Sequence, residues 1–458
     1  MFILASDTAS LRLATDWAPT DGAGTLRFVL SNTLNLHLGN FQLAFTSLFP
    51  LIVQDQQLEG AHLAKQESNY HLIRPSDGLT LPPGAHWSFS AQVGCELQHY
   101  TSAVKSAYVI LEDGATIPVV SLPTTRGGER GAPRLGLPPS SRLPSGEPAV
   151  ALVPFPASVH VDGAREPASA LCLAEGPAEA EIAFRAAAGL SERLFRAEPP
   201  LFAPSGDIKC VARHSPGPNQ EDYAVEFAPD VVAVRAAGPA GFLYAFISLG
   251  QILRAARLDR AQFRFPARGE IRDRPRFEWR GMLLDVARQV FSPTDLSWML
   301  DCLAWHKFNR LHLHLSDDEG WRLDIPAVPQ LAELGGWRGH GLAIPPRLGS
   351  AAERCGMIYS AADIGSLVRR AAQLSVTIVP EIDMPDTARL RWKRFRTCAI
   401  RLIPGRIAIF SILPCTGPMI TCKPSLANSS GFFLPLGFTS AVMKCLPMPG
   451  RAHHWPDA

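Results

Sequence analysis

The sequence predicts a multidomain α/β protein: an N-terminal β-sandwich, a small α+β domain, and then an incomplete (β/α)8 TIM barrel. Three observations predict it. Short apolar runs with closely spaced turn signals fill residues 1–130. A mixed strand and helix pattern fills residues 149–268. From Phe277 the pattern runs β, α, β, α, β, and after three strand signals the composition changes at Asp386.

In the first region, Leu26 to Leu30 and Ser106 to Leu111 are apolar runs, and Asp77-Gly78, Pro82-Pro83-Gly84 and Asp113-Gly114 mark turns. Short strands with frequent turns suit an antiparallel sandwich. Residues 124–148 are rich in Gly, Pro, Ser and Arg and read as a solvated linker. In the second region, Tyr223 to Phe227 alternates like a strand and Val231 to Val234 is a second run. Gly241 to Leu253 has apolar residues at helical spacing, so it should pack on a small sheet.

In the third region, Gly281 to Val286 is a near-continuous apolar run, as expected of a buried parallel strand. Ser292 can then cap a helix, with Pro293 at its first position and Asp295 at its third. Leu296, Met299, Leu300, Leu303 and Ala304 give that helix an apolar side. Arg310 to Ser316 is strand two, Ala361 to Leu374 a second helix and Val376 to Ile382 strand three. Residues 317–359 form a long loop between them, and long loops in compact domains are usually functional. Consecutive βα units with acids just after the strands suit a (β/α)8 barrel; a doubly wound sheet is the other reading of the same pattern.

The composition, 47% hydrophobic and 19% charged, excludes disordered, collagen-like and disulfide-rich classes. No run of 18 uncharged apolar residues predicts a membrane span. The N-terminal MFILASDTAS lacks a basic n-region, so no secretory signal is expected and a cytoplasmic location is the expectation. Nine scattered cysteines fit a reducing compartment.

The candidate chemistry gathers at predicted strand ends. Trp279-Arg280-Gly281 opens strand one, and Asp285 and Arg288 follow it. Asp317-Asp318-Glu319-Gly320-Trp321-Arg322 follows strand two, and Glu381 and Asp383 close strand three. Carboxylates, arginines and an aromatic ring in one pocket suit a sugar: the polar groups bond its hydroxyls and the ring covers its apolar face. Asp285 and Arg288 read equally well as a structural ion pair, and Trp321 alone as core. Asp317-Asp318 is harder to dismiss, because adjacent acids repel unless something uses them. His312 and His314 lie on one side of a strand. With no third His or Cys at a matching strand end, they read as satisfied interior histidines rather than metal ligands.

Three stretches carry a resemblance. WRGMLLDVAR at 279–288, KFNRLHLHLSDDEGWRLDI at 307–325 and TIVPEIDMP at 377–385 resemble the family 20 glycoside hydrolases, the β-N-acetylhexosaminidases. Residues 149–268 resemble the small domain that precedes the barrel in that family, residues 269–385 its first part, and residues 1–130 an accessory module. The resemblance implies substrate-assisted retaining hydrolysis of terminal N-acetylglucosamine or N-acetylgalactosamine, in which the acetamido oxygen attacks C1. It implies no cofactor, metal, nucleic-acid or membrane partner. It gives Arg280 a role in binding the non-reducing hydroxyls, and one of Asp317 and Asp318 a supporting role behind the catalytic Glu, with Glu381 and Asp383 as further supporting acids. The catalytic pair itself is an adjacent Asp-Glu after strand four.

That pair is missing. Pro385 is followed by Asp386-Thr387-Ala388 where the family has Gly-His, and residues 386–458 hold ten Lys/Arg against two acids. Asp-Thr-Ala can be coded GAC ACG GCx; one extra G before it reads GGA CAC GGC, or Gly-His-Gly. The same shift across Gly437 to Cys445 can read Ile-His-Ile-Gly-Gly-Asp-Glu-Val, in which Met443-Lys444 forces the Glu, and Pro449-Gly450 allows a Trp. This is the family's strand four and catalytic pair in order. Residues 386–458 therefore read as an out-of-frame tail, and the basic residues there as no nucleic-acid site. The chain is expected to be an inactive β-N-acetylhexosaminidase; a non-catalytic carbohydrate-binding protein and a non-functional fragment are the alternatives.

Overall fold

A computed structural model describes residues 10–382, except 21–22, 48–50, 53–56, 77, 94–103, 128–149, 167–169, 327–328 and 349; beyond residue 382 it describes the strands 398–403, 406–411 and 432–434. Most of the predicted linker, and Asp383 among the predicted site residues, lie outside the described residues. The chain divides into two compact units, one of residues 1–141 with 317–358 and one of residues 142–316 with 359–386, to which short or tail segments beyond 386 are added.

The first unit is built on eleven strands: β1 (Leu11–Thr20), β2 (Ala23–Asn32), β3 (Gln42–Thr46), β4 (Leu51–Ile52), β5 (Gln57–Leu58), β6 (Ala61–Glu67), β7 (Tyr70–Pro75), β8 (His86–Val93), β9 (Lys105–Ile110), β10 (Thr116–Ser121) and β11 (Thr125–Arg126). A two-sheet sandwich was expected. The strands instead form one sheet in the order β4-β8-β2-β1-β10-β9-β3-β7-β6-β5, with β11 beside β1. A bridge between Glu59 and Ser90 brings its two ends together, so the sheet is nearly closed on itself. The physical reason is the parallel pairing of β1 with β10, which joins what would have been two separate layers. Alternation does the rest. In β8, Trp87, Phe89, Ala91 and Val93 turn inward while their neighbours face out. Phe28 and Phe89 stack at 4.5 Å in the core so formed. The start of the predicted linker is β11, which pairs with Asp16 and Trp17.

In the second unit, β12 (Ser158–Asp162), β13 (Leu171–Glu175), β14 (Ile208–His214), β15 (Tyr223–Phe227), β16 (Val232–Ala236) and β17 (Arg268–Asp273) form a sheet in the order β12-β17-β15-β16-β14-β13. Helices α1 (Ala178–Leu194) and α2 (Pro239–Leu258) pack on each other. Nearly every residue of α2 from Gly241 to Leu253 is buried, so this helix is core on all sides.

Then come β18 (Gly281–Asp285), α3 (Pro293–Trp305) and β19 (Arg310–Asp317). The loop after β19 holds β20 (Gly320–Trp321), α4 (Gln330–Gly335), β21 (Trp337–Arg338) and β22 (Cys355–Gly356). It leads to α5 (Ala361–Gln373) and β23 (Thr377–Ile382). Strand β19 pairs parallel with β18 on one side and β23 on the other. The expected cap at Ser292 is there: its hydroxyl accepts from Asp295 N, and the Asp295 carboxylate accepts from Ser292 N. Ser360 and Asp363 repeat the device at α5. The side chain of Gln251 in α2 donates to the carbonyls of Val153 (2.9 Å) and Trp305 (2.8 Å), fastening the small domain to the end of α3.

Beyond residue 382, β24 (Cys398–Ile403), β25 (Arg406–Ser411) and β26 (Phe432–Leu434) form a separate antiparallel sheet. Among the described residues, β18 and β23 pair with no strand of it.

Candidate functional site

The parallel register places Asp285, His314 and Glu381 in one row across β18, β19 and β23. Neighbouring strands lie ~4.8 Å apart and registered residues point to one face, so these three side chains meet near the carboxyl ends of the strands. This is where barrel and doubly wound enzymes alike hold their chemistry. The turn after β18 is tied to its neighbour, since Val286 N and Ala287 N donate to the His314 carbonyl at 3.2 and 3.1 Å.

Glu381 is buried, and its Oε2 lies 3.1 Å from His314 Nδ1. His312 Nε2 is 2.9 Å from the same oxygen but off the line of a hydrogen bond. Both histidines thus lie beside one carboxylate. Among the described residues no three His, Cys, Asp or Glu side chains have the arrangement of a metal site. Asp285 accepts from the backbone N of Arg288 at 3.0 Å and from its Nη1 at 2.8 Å. The ion pair read from the sequence is present, yet Arg288 keeps 42% of its side chain exposed beside the row of acids.

Arg280 lies at the other end of β18, one residue before the strand starts, and is not brought to this row. Its two terminal nitrogens donate to Glu221 at 2.8 and 2.9 Å, and its Nε donates to the Lys307 carbonyl at 2.9 Å. Burial alone would push the Glu221 carboxyl up, but the hydrogen bonds and charge of Arg280 outweigh it and hold the pKa low. A cavity of about 480 Å³ opens beside these groups. Its floor is closed by two internal pairs, Arg280 with Glu221 and Lys307 with Asp273. Burial lowers the Lys307 ammonium to about 8 against the opposing attraction of Asp273. Arg280 thus joins the small domain to the start of β18 through Glu221.

In the first unit, the loop that leaves β19 carries the other predicted acids. Asp317 accepts from the backbone N of Asp318 at 2.7 Å. Trp321 is core, donating from Nε1 to the Leu323 carbonyl at 2.6 Å. Three buried arginines organise this loop through its backbone: Arg322 donates to the Gly336 carbonyl at 2.9 Å, Arg338 to Glu319 at 3.4 Å and Arg347 to Asp318 at 3.5 Å. Arg338 and Arg347 carried no motif in the sequence; the length of the loop was the signal.

Comparison with known proteins follows the same boundaries. Residues 149–274 match the family model "Glycosyl hydrolase family 20, domain 2", and residues 277–403 match "Glycosyl hydrolase family 20, catalytic domain". A beta-hexosaminidase of Vibrio furnissii is 34% identical over 184 residues, which is 40% of this chain and 30% of that one. The N,N'-diacetylchitobiase of Vibrio harveyi is 36% identical over 174 residues, 36% of this chain and 19% of that one. The matched stretch thus spans less than a third of either relative. A solved exo-β-N-acetylglucosaminidase of Vibrio harveyi, in complex with N-acetylglucosamine, superposes with a TM-score of 0.69 at 24% identity, over 86% of this chain and 62% of that one. That likeness is one of fold, a multidomain α/β architecture.

Proposed function

The chain belongs to glycosyl hydrolase family 20, and from that premise we propose that it is the front part of a β-N-acetylhexosaminidase, cleaving terminal N-acetylglucosamine or N-acetylgalactosamine from glycans by substrate-assisted retaining catalysis. The carrying observation is the row of Asp285, His314 and Glu381 at the carboxyl ends of three adjacent parallel strands. Arg288, at that end and half exposed, is the better partner for sugar hydroxyls than Arg280, which is held by Glu221. Asp317, the last residue of β19, Asp318 after it, and Asp383, one residue past β23, keep the supporting role the resemblance gives them.

The chain as it stands is inactive in this reading, because the Asp-Glu pair is absent from its frame. The orienting Asp and the general acid are both lost, and loss of a positioned acid alone costs ~10²–10⁴ in rate. Three of eight barrel strands support the reading of an incomplete barrel. Leu283, in the middle of β18, is 51% exposed, whereas a closed barrel buries that position. The test is hydrolysis of 4-nitrophenyl N-acetyl-β-D-glucosaminide. The chain as given should show no turnover, and one G inserted before codon 386, with the downstream frame read through, should restore it. Turnover by the chain as given, or none in the restored frame, would overturn the reading. Resequencing the gene across codon 386 tests the frame slip separately.

A further inference from the structure

The N-terminal domain was expected to be an accessory module, one that could bind glycans on its own. Such modules present aromatic faces to solvent. Among the described residues of the N-terminal sheet, every Trp, Tyr and Phe is buried. What the sheet does hold is the loop that leaves β19. Arg347, from that loop, is buried and donates from Nη2 to Glu67 Oε1 at 2.6 Å, while its Nη1 reaches the Asp318 carbonyl at 3.5 Å. Glu67 ends β6 and is also paired with Lys65 at 2.8 Å. Two further contacts run along the same surface. The ring of His340 meets Tyr108 edge-on at 5.7 Å, and Ala352 packs against the cluster of Ala44, Tyr70 and Tyr108. The Tyr70 and Tyr108 hydroxyls are bonded at 3.0 Å beneath it. Burial pushes the Glu67 carboxyl up, but Lys65 and Arg347 together bring it below its ordinary value, so it is an anion wherever the protein is folded near neutrality.

We infer that Glu67 and Arg347 are positioning residues: the N-terminal domain anchors the loop after β19 through this ion pair and so fixes the backbone at Asp318, making the domain part of the hydrolase machinery rather than a separate glycan-binding module. Arg322 donates to the carbonyls of Trp321, Gly336 and Met357, whereas Arg338 and Arg347 reach the Glu319 and Asp318 carbonyls by long bonds of 3.4 and 3.5 Å; Arg347 adds to its long bond a short one to a carboxylate on the sheet. An anion on β6 thus orients the guanidinium that touches Asp318. The functional part of this inference rests on the hydrolase reading; the anchoring part does not.

The two parts separate in experiment. In the full chain as it exists, hydrogen exchange of residues 336–347 is compared among the parent, Glu67→Arg, Arg347→Glu and the double charge swap. Either single change should speed exchange there about tenfold, and the swap should return most of the protection, since the pair is remade with its polarity reversed. Unchanged exchange in both singles, or a swap no better than the singles, overturns the anchor. In the frame-restored chain, the singles should lower kcat about tenfold with KM within about twofold, because a displaced support misplaces the acid without removing substrate contacts. A rise in KM at constant kcat overturns the link to Asp318 even where the exchange result stands. A frame-restored chain without any turnover overturns the hydrolase reading and the positioning role with it, leaving the anchor to the exchange data.

Discussion

Arg280 and Glu221 grip each other at two points, 2.8 and 2.9 Å, at the amino end of β18, with Tyr244 and Asn309 donating to the same carboxylate. Both side chains are more than four-fifths covered. Arg288, eight residues on, makes a more exposed pair with Asp285 at the carboxyl end. The two arginines of one short motif therefore do different work.

The first prediction follows from that contrast. Arg280→Met leaves Glu221 covered and without its cation, and should cost about 3 kcal/mol in urea unfolding. Arg288→Met breaks an exposed pair and should cost less than about 1 kcal/mol. In the frame-restored chain the order reverses for kcat/KM, with Arg288→Met the more damaging. Equal stability losses in the two variants would remove the basis for separating their roles.

A second prediction concerns Asp301 in α3, which is buried and shared by two arginines. Arg193 from α1 donates to it at 2.9 and 3.1 Å, and Arg370 from α5 at 3.0 Å and through a second, shorter bond. One carboxylate thus ties the small domain to both crossover helices. Asp301→Asn keeps the shape and removes the charge, and should destabilise the chain by about 3 kcal/mol. A midpoint unchanged in urea would mean that the two arginines are held by other groups.

Acid sensitivity provides the third. His71 is fully buried, stacked on Phe45 at 5.1 Å, and burial lowers it to about 4 although the Asn69 carbonyl opposes the shift. The folded sheet holds the neutral ring, whereas the unfolded chain takes up a proton near pH 6.5. Between those values the unfolded state binds more protons, so stability falls as pH drops from about 6.5 to about 4, by about 3 kcal/mol in all. His71→Met should flatten this part of the unfolding curve. An identical slope in the variant assigns the acid response to other groups.

Leu283 gives the fourth. It is half exposed in the chain as given and belongs inside a closed barrel. Leu283→Lys should raise the soluble fraction of this chain on expression and lower the stability of the frame-restored chain by about 3 kcal/mol, because a lysine would then be buried without a partner. Effects of the same sign in both chains would argue against closure around that strand.

Much of this architecture was legible in the residues. Strand β18 carries a near-continuous apolar run, β19 alternates Leu with His, β23 opens on apolar residues, and Ser292 with Asp295 spells out a helix start, so local chemistry alone sets them. What was not legible depends on pairings between distant segments. The parallel join of β1 to β10 spans about a hundred residues of chain and turns an expected sandwich into a single bent sheet. Arg280 and Arg288 look equivalent in the motif, yet a five-residue strand advances ~16 Å and sends them to opposite ends. The anchoring of Arg347 by Glu67 links residues 280 positions apart and has no local pattern at all.

The paired Ser and Asp caps at α3 and α5 have a consequence for synthesis. Each crossover helix carries its own starter within four residues, so each strand-helix unit can organise as it leaves the ribosome, before any later unit exists to receive it. Two such units and the strand β23 thus form ordered helices beside a short sheet in which, among the described residues, β18 and β23 each pair only with β19, and a lateral strand without a neighbour is the kind of surface that chaperones and proteases recognise first.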